Sequence, residues 1–188
     1  MKDKKAFLIL AAGLLILLIG ASAFYTQLTK NINAPDQLAT QATDPTAETL
    51  QAAPDFTVYD KEGNPVKLSD FFGKPIVLNF WASWCGPCQS EMPDFQEKYE
   101  ELGNEIQFLI VNMTDGQRET QTLAEAFIAQ KGYTFPVYFD LESNAAMTYS
   151  VYSLPTTYFI DAQGNVTAQA TGAIDAATLQ KGIDMIKD

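Results

Sequence analysis

Ile76-Val77-Leu78-Asn79-Phe80-Trp81-Ala82-Ser83-Trp84-Cys85-Gly86-Pro87-Cys88 is the stretch on which the fold of this chain turns. Its first half is a nearly continuous apolar run, the pattern of a strand covered on both faces. Its second half enters a helix. Gly86 and Pro87 let the chain turn into a first helical turn, where the proline's missing N–H is no loss. Cys88, Met92, Phe95, Tyr99 and Leu102 then recur at helical spacing and form one apolar stripe. A buried strand therefore delivers Cys85 to the start of an amphipathic helix, where the dipole and the unpaired amide hydrogens stabilise a thiolate and lower its pKa. Cys88, one turn later, lies on the same face. The competing readings of such a pair are half of a zinc knuckle or two inert core cysteines.

Composition weighs against both. The chain has 188 residues, two cysteines and no histidine, which excludes Ser-His-Asp and Cys-His catalysis and leaves too few donors for a zinc site. Neither a metal nor a cofactor is expected. A net charge of −11 is the wrong sign for gripping a phosphate backbone, so nucleic acid is not an expected partner. A redox-active cysteine pair remains.

Outward from that pair, Ile106-Gln107-Phe108-Leu109-Ile110-Val111 reads as a second buried strand. Upstream, Phe56–Tyr59 and Val66–Leu68 flank a turn and form a hairpin. Downstream, Thr120 to Lys131 is a helix closed by Gly132, with Leu123 and Phe127 facing inward, joined by Ala124 and Ile128. A strand at 135–139, a short helix at 145–149, a hairpin of 156–160 and 166–171, and a helix capped by Asp175 follow. Strands alternating with helices predict an α/β domain over 53–188, a central mixed sheet flanked by helices.

Ahead of that domain, residues 1–5 are basic, and Ala6 to Phe24 are nineteen residues without a charge. This length spans the ~30 Å hydrocarbon core of a bilayer. The reading is a single transmembrane signal anchor at 6–24, with residues 1–5 cytoplasmic and the rest exported. Ala21-Ser22-Ala23 also resembles a cleavage site, which leaves a removed signal peptide as the alternative. Residues 25–52, rich in Thr, Gln, Ala and Asn, read as a flexible tether, because so few large apolar groups cannot offset the entropy of ordering.

Ala53-Pro54-Asp55-Phe56, Leu68-Ser69-Asp70-Phe71-Phe72-Gly73-Lys74-Pro75, the Trp84–Cys88 motif and Glu91-Met92-Pro93 together resemble the TlpA/ResA-like membrane-anchored thiol-disulfide oxidoreductases of the thioredoxin superfamily. The resemblance extends over 53–188. It implies a thioredoxin-like fold with an N-terminal β-hairpin extension, Cys85 as attacking thiol and Cys88 as resolving thiol. It also implies a cis bond before Pro155, packed against the cysteines, with Leu154 offering its backbone to an extended substrate. Glu91 is either a solvated helix acid or, as the family suggests, a partly buried carboxylate that shuttles the Cys88 proton. Asn79 cannot do that work, although cytosolic thioredoxins usually have an aspartate there. Trp84, with Gly86 and Pro87, reads as the apolar lip that meets substrate, while Trp81 reads as core.

The implied activity is an extracytoplasmic reductase of disulfides in exported proteins, such as apocytochrome c or oxidised repair enzymes, supplied by a membrane thiol donor. Two alternatives are an oxidant of the same fold and a non-catalytic binding or chaperone module. A thiol peroxidase is set aside. Its reactive cysteine follows a Pro-x-x-x-Thr-x-x spacing absent here, beside an arginine, and Arg118 is the only arginine in the chain.

Overall fold

In a computed structural model, the described residues are 38–40 and 51–187. Nine strands among them join one sheet: β1 (Leu38–Thr40), β2 (Gln51–Ala52), β3 (Thr57–Tyr59), β4 (Pro65–Lys67), β5 (Ile76–Trp81), β6 (Gln107–Asn112), β7 (Val137–Phe139), β8 (Thr156–Ile160) and β9 (Asn165–Thr171). Their spatial order is β1-β9-β8-β5-β6-β7-β3-β4, with β2 also on β9. The β5–β6 and β6–β7 pairs are parallel and the others antiparallel, so the sheet is mixed, as the alternating pattern predicts. The helices are α1 (Gly86–Leu102), α2 (Gln121–Lys131), α3 (Asn144–Thr148) and α4 (Ala176–Asp184).

Period-two alternation along the buried strands divides the core in two. Ile76, Leu78, Phe80, Leu109 and Val111 pack on one face with Phe56, Val58, Leu68, Ala145 and Tyr149, under the hairpin and α3. Val77, Trp81, Phe108 and Ile110 pack on the other with Met92 and Phe95 of α1, Ala124 of α2 and Leu179 and Ile183 of α4. Asn79, between Val77 and Trp81, therefore points toward α1. On β9 the alternation is broken by an irregularity opposite Phe159 and Ile160, which sends Val166 to one cluster and Ala168 and Ala170 to the other.

Two expectations need correction. Composition places 25–52 in a tether, yet Leu38–Thr40 and Gln51–Ala52 pair with β9. Leu38 is buried in the cluster that holds Ala168 and Ala170. Small alanines leave space over an otherwise open strand edge, and one leucine with backbone pairing suffices to fill it. On α2, Leu123 is half exposed and Ala124 fully buried. The inward face is Ala124 with the half-buried Phe127 and Ile128, because only a small side chain fits where the helix lies closest to the core. The anchor at 6–24, and the rest of the tether, lie outside the described residues. No helix among the described residues is long and apolar enough to cross a membrane.

Candidate active site

The chain leaves β5 at Trp81 and reaches Cys85 through a tight turn in which the Cys85 amide donates to the Ala82 carbonyl at 3.1 Å. Cys85 is the N-cap of α1, with Pro87 in the first turn, and its sulfur accepts from the Cys88 amide at 3.2 Å. The two cysteines form a disulfide. Cys88 is fully buried and Cys85 keeps 4% of its surface, so of the two residues only the first has any access to solvent. Gly86 and Pro87 are exposed beside it. Trp84 is 42% exposed, whereas Trp81 is fully buried against Phe127.

Glu91 is not a solvated helix acid. It is buried beneath α1. Its Oε1 accepts from Asn79 Nδ2 at 2.9 Å and its Oε2 from the Ile174 amide at 3.0 Å. Burial pushes its pKa up to about 7, while the Ile174 and Asn79 hydrogen bonds pull in the opposite direction and the charge of Asp94 adds slightly to the rise. Asn79 Nδ2 also donates to Thr157 Oγ1 at 3.0 Å, tying the carboxyl on α1 to β5 and β8. The amide at position 79 thus holds the acid on α1 in place.

The Leu154–Pro155 bond is cis. Pro155 is buried and directly precedes β8, and its carbonyl accepts from the Gly172 amide at 2.9 Å. Leu154 is half-buried and packs against the cluster that contains both cysteines. The residues singled out in the sequence therefore occupy neighbouring parts of one end of the sheet: the β5–α1 junction, the loop before β8, and the network Glu91–Asn79–Thr157 that links them.

Three residues escape sequence reasoning. Glu119 is fully buried, accepting from the Ser83 amide at 2.8 Å, the Ser83 hydroxyl at 2.7 Å and Asn112 Nδ2 at 2.7 Å. Arg118 lies over Trp84, its guanidinium carbon 3.5 Å from the ring centroid. Tyr152, two residues before Leu154, is 94% exposed. Asp115-Gly116 signals a turn before Glu119, but no local pattern tells which distant loop that turn meets. A cavity of about 550 Å³ bordered by Asp60, Glu125, Tyr133 and Phe139 shares no residue with the cysteine site.

A protein-family model described as the AhpC/TSA family matches residues 49–169. Among curated proteins, the thiol-disulfide oxidoreductase ResA of Geobacillus kaustophilus is 33% identical over 188 residues, covering 100% of this chain and 99% of its own. ResA of Geobacillus thermodenitrificans is 36% identical over 136 residues, covering 72% of this chain and 76% of its own. Among solved structures, a putative thiol:disulfide interchange protein DsbE from Chlorobium tepidum superimposes with a TM-score of 0.66 at 32% identity, over 76% of this chain and all of that one. StoA from Bacillus subtilis gives 0.60 at 26% identity, over 69% of this chain and 96% of that one.

Proposed function

From the premise that this chain belongs to the AhpC/TSA family and is a thiol-disulfide oxidoreductase of thioredoxin-like fold, we propose that it reduces disulfides of exported proteins on the outer side of a membrane. The observation that carries this reading is the place of the Cys85 sulfur. It caps α1, nearest to solvent, with the Cys88 amide aimed at it. In the reduced protein that amide and the helix dipole favour a thiolate at Cys85.

The thiolate attacks one sulfur of a substrate disulfide, forming a mixed disulfide and releasing the other substrate sulfur as a thiolate. Cys88 then loses its proton and attacks the Cys85 sulfur. The second substrate thiol leaves, and the chain ends as the Cys85–Cys88 disulfide with two electrons passed on. Glu91, one helical turn from Cys88 and with a pKa near neutrality, takes the proton of the resolving thiol. Leu154 and the cis-Pro155 loop support an extended substrate segment, and Trp84, Gly86 and Pro87 form the lip beside it.

Direction follows from what separates the cysteines. Gly86-Pro87 adds no cation, and the chain has no histidine to stabilise the thiolate form further. The dithiol then gains little beyond the helix terminus and gives up its electrons readily. The reduction potential is expected from about −200 mV downward, and a glutathione or dithiothreitol redox titration reads it. A value near about −120 mV would make the protein a disulfide donor instead.

The outer location rests on the uncharged run 6–24 preceded by Lys2, Lys4 and Lys5. Electrons would reach the domain from a membrane-embedded thiol donor. Membrane fractions are expected to hold the full-length chain, and a mature N-terminus at Phe24 in mass spectrometry would end the anchor reading.

A further inference from the structure

The two segments that carry the site, 81–89 and 151–157, include no charged residue. One cation is brought to the first of them from a distant part of the chain. Arg118 lies with its guanidinium carbon 3.5 Å from the centroid of the Trp84 ring, and Trp84 immediately precedes the reactive cysteine.

That position is built. Asp115 Oδ1 accepts from the amides of Gln117, Arg118 and Glu119 at 2.8, 2.8 and 2.9 Å, and Gly116 turns the loop at a φ of 72°. Glu119 is anchored to both hydrogen-bond donors of Ser83, its amide and its hydroxyl. Consecutive residues of one loop, 118 and 119, thus grip consecutive residues of the other, 84 and 83. Asp115 spends its Oδ1 on the turn, and no ion pair engages Arg118 among the described residues.

Stacking on an indole uses the flat face of a guanidinium and leaves its edge N–H donors available. A planar fork of donors, exposed and attracted by Asp115 without an ion-pair contact to it, matches a carboxylate. The remainder of the domain repels acidic groups, with 8 Lys plus Arg against 19 Asp plus Glu over 53–188. An acidic partner is therefore attracted at the mouth of the site and turned away elsewhere, which fixes its orientation. We infer that Arg118 is a specificity-determining residue, and that the Trp84–Arg118 stack receives protein disulfides flanked by an acidic side chain. This rests on exchange through Cys85.

The test uses the full chain, reduced with dithiothreitol and freed of it, and three disulfide-closed peptides with Glu, Gln or Lys beside one cysteine. Acetylated and amidated ends restrict the carboxylates to side chains. The second-order rate constant is expected to be about fivefold higher for the Glu than for the Lys peptide at low salt, the size an exposed charge contact supplies. The ratio should fall toward one in 0.5 M salt and in Arg118→Gln, with Arg118→Lys between. A wild-type ratio of one, a preference that survives in Arg118→Gln, or an equal loss on all three peptides would overturn the inference, the last by reducing Arg118 to a prop for Trp84. If no peptide is reduced by the wild type while insulin is also left intact, the exchange reading itself fails and takes this one with it.

Discussion

Cys85→Ser is expected to abolish disulfide exchange, and Cys88→Ser to leave a protein that accumulates long-lived mixed disulfides with its substrates. The asymmetry comes from the start of α1. Only the first cysteine keeps any surface, and it is the first sulfur that accepts an amide hydrogen from the capping turn. Removing Cys85 removes the one nucleophile a substrate can reach. Removing Cys88 spares the attack but deletes the only thiol among the described residues able to release the product, since no other cysteine exists in the sequence. An insulin reduction assay should fall to background in Cys85→Ser. Non-reducing electrophoresis of Cys88→Ser should show adducts that collapse on addition of dithiothreitol. Faster alkylation of Cys88 than of Cys85 in the reduced wild type would reverse the two roles. Because the two replacements remove similar volumes at adjacent buried points, equal losses of both activities would point to a folding defect, and circular dichroism separates that case.

Much of this arrangement is legible in the sequence alone, for reasons that differ by element. The continuous apolar runs of β5 and β6 and the stripe from Cys88 to Leu102 are strong periodic signals, and the structure follows them. Local chemistry also places caps well: Thr120 and Asp175 start α2 and α4 through their side-chain oxygens, and Gly132 closes α2 at a left-handed φ of 72°. What fails is anything that depends on a partner far away in the chain. Leu123 is the larger apolar residue, yet Ala124 takes the buried position because the helix sits too close for a leucine. Leu38 in a polar stretch has no local reason to fold, and becomes a strand residue only because β9 presents an open edge lined with alanines. At the site, Cys85 and Cys88 announce themselves by spacing, but the grip of 118–119 on 83–84 joins distant loops by chemistry that no periodicity encodes. The burial of Glu91 falls between these cases. Its position beside the helix stripe permits either face, and Asn79 decides it by offering a donor where an aspartate would have repelled the carboxylate.

Glu91→Gln is expected to invert its effect on stability across the pH range. In the folded protein the Glu91 carboxyl holds its proton up to about 7, against an ordinary value of 4.5, so the folded state is the better proton binder. Its stabilisation by protonation is complete below 4.5 and is lost as the pH rises through 7, a change of about 3 kcal/mol across that window. Glutamine cannot ionise, so the variant lacks this decline. It also lacks one acceptor: the Asn79 amide and the Ile174 amide both donate to the carboxylate, and a glutamine side chain satisfies one of them and presents its own N–H₂ to the other. That mismatch costs about 1 kcal/mol at every pH. Urea unfolding of the disulfide form, in which neither cysteine titrates, should therefore find the variant less stable than the wild type at pH 4 and more stable at pH 8. The difference between the two proteins isolates Glu91 from other groups with shifted titrations, such as the buried Asp140. Kinetics should move with it. The rate at which a preformed mixed disulfide is resolved is expected to climb through pH 7 in the wild type, as Glu91 becomes able to accept the Cys88 proton, and to lose that limb in Glu91→Gln. Parallel stability curves with unchanged resolution rates would reduce Glu91 to a packing residue, whereas crossing stabilities with unchanged rates would keep the buried carboxyl and remove it from the proton path.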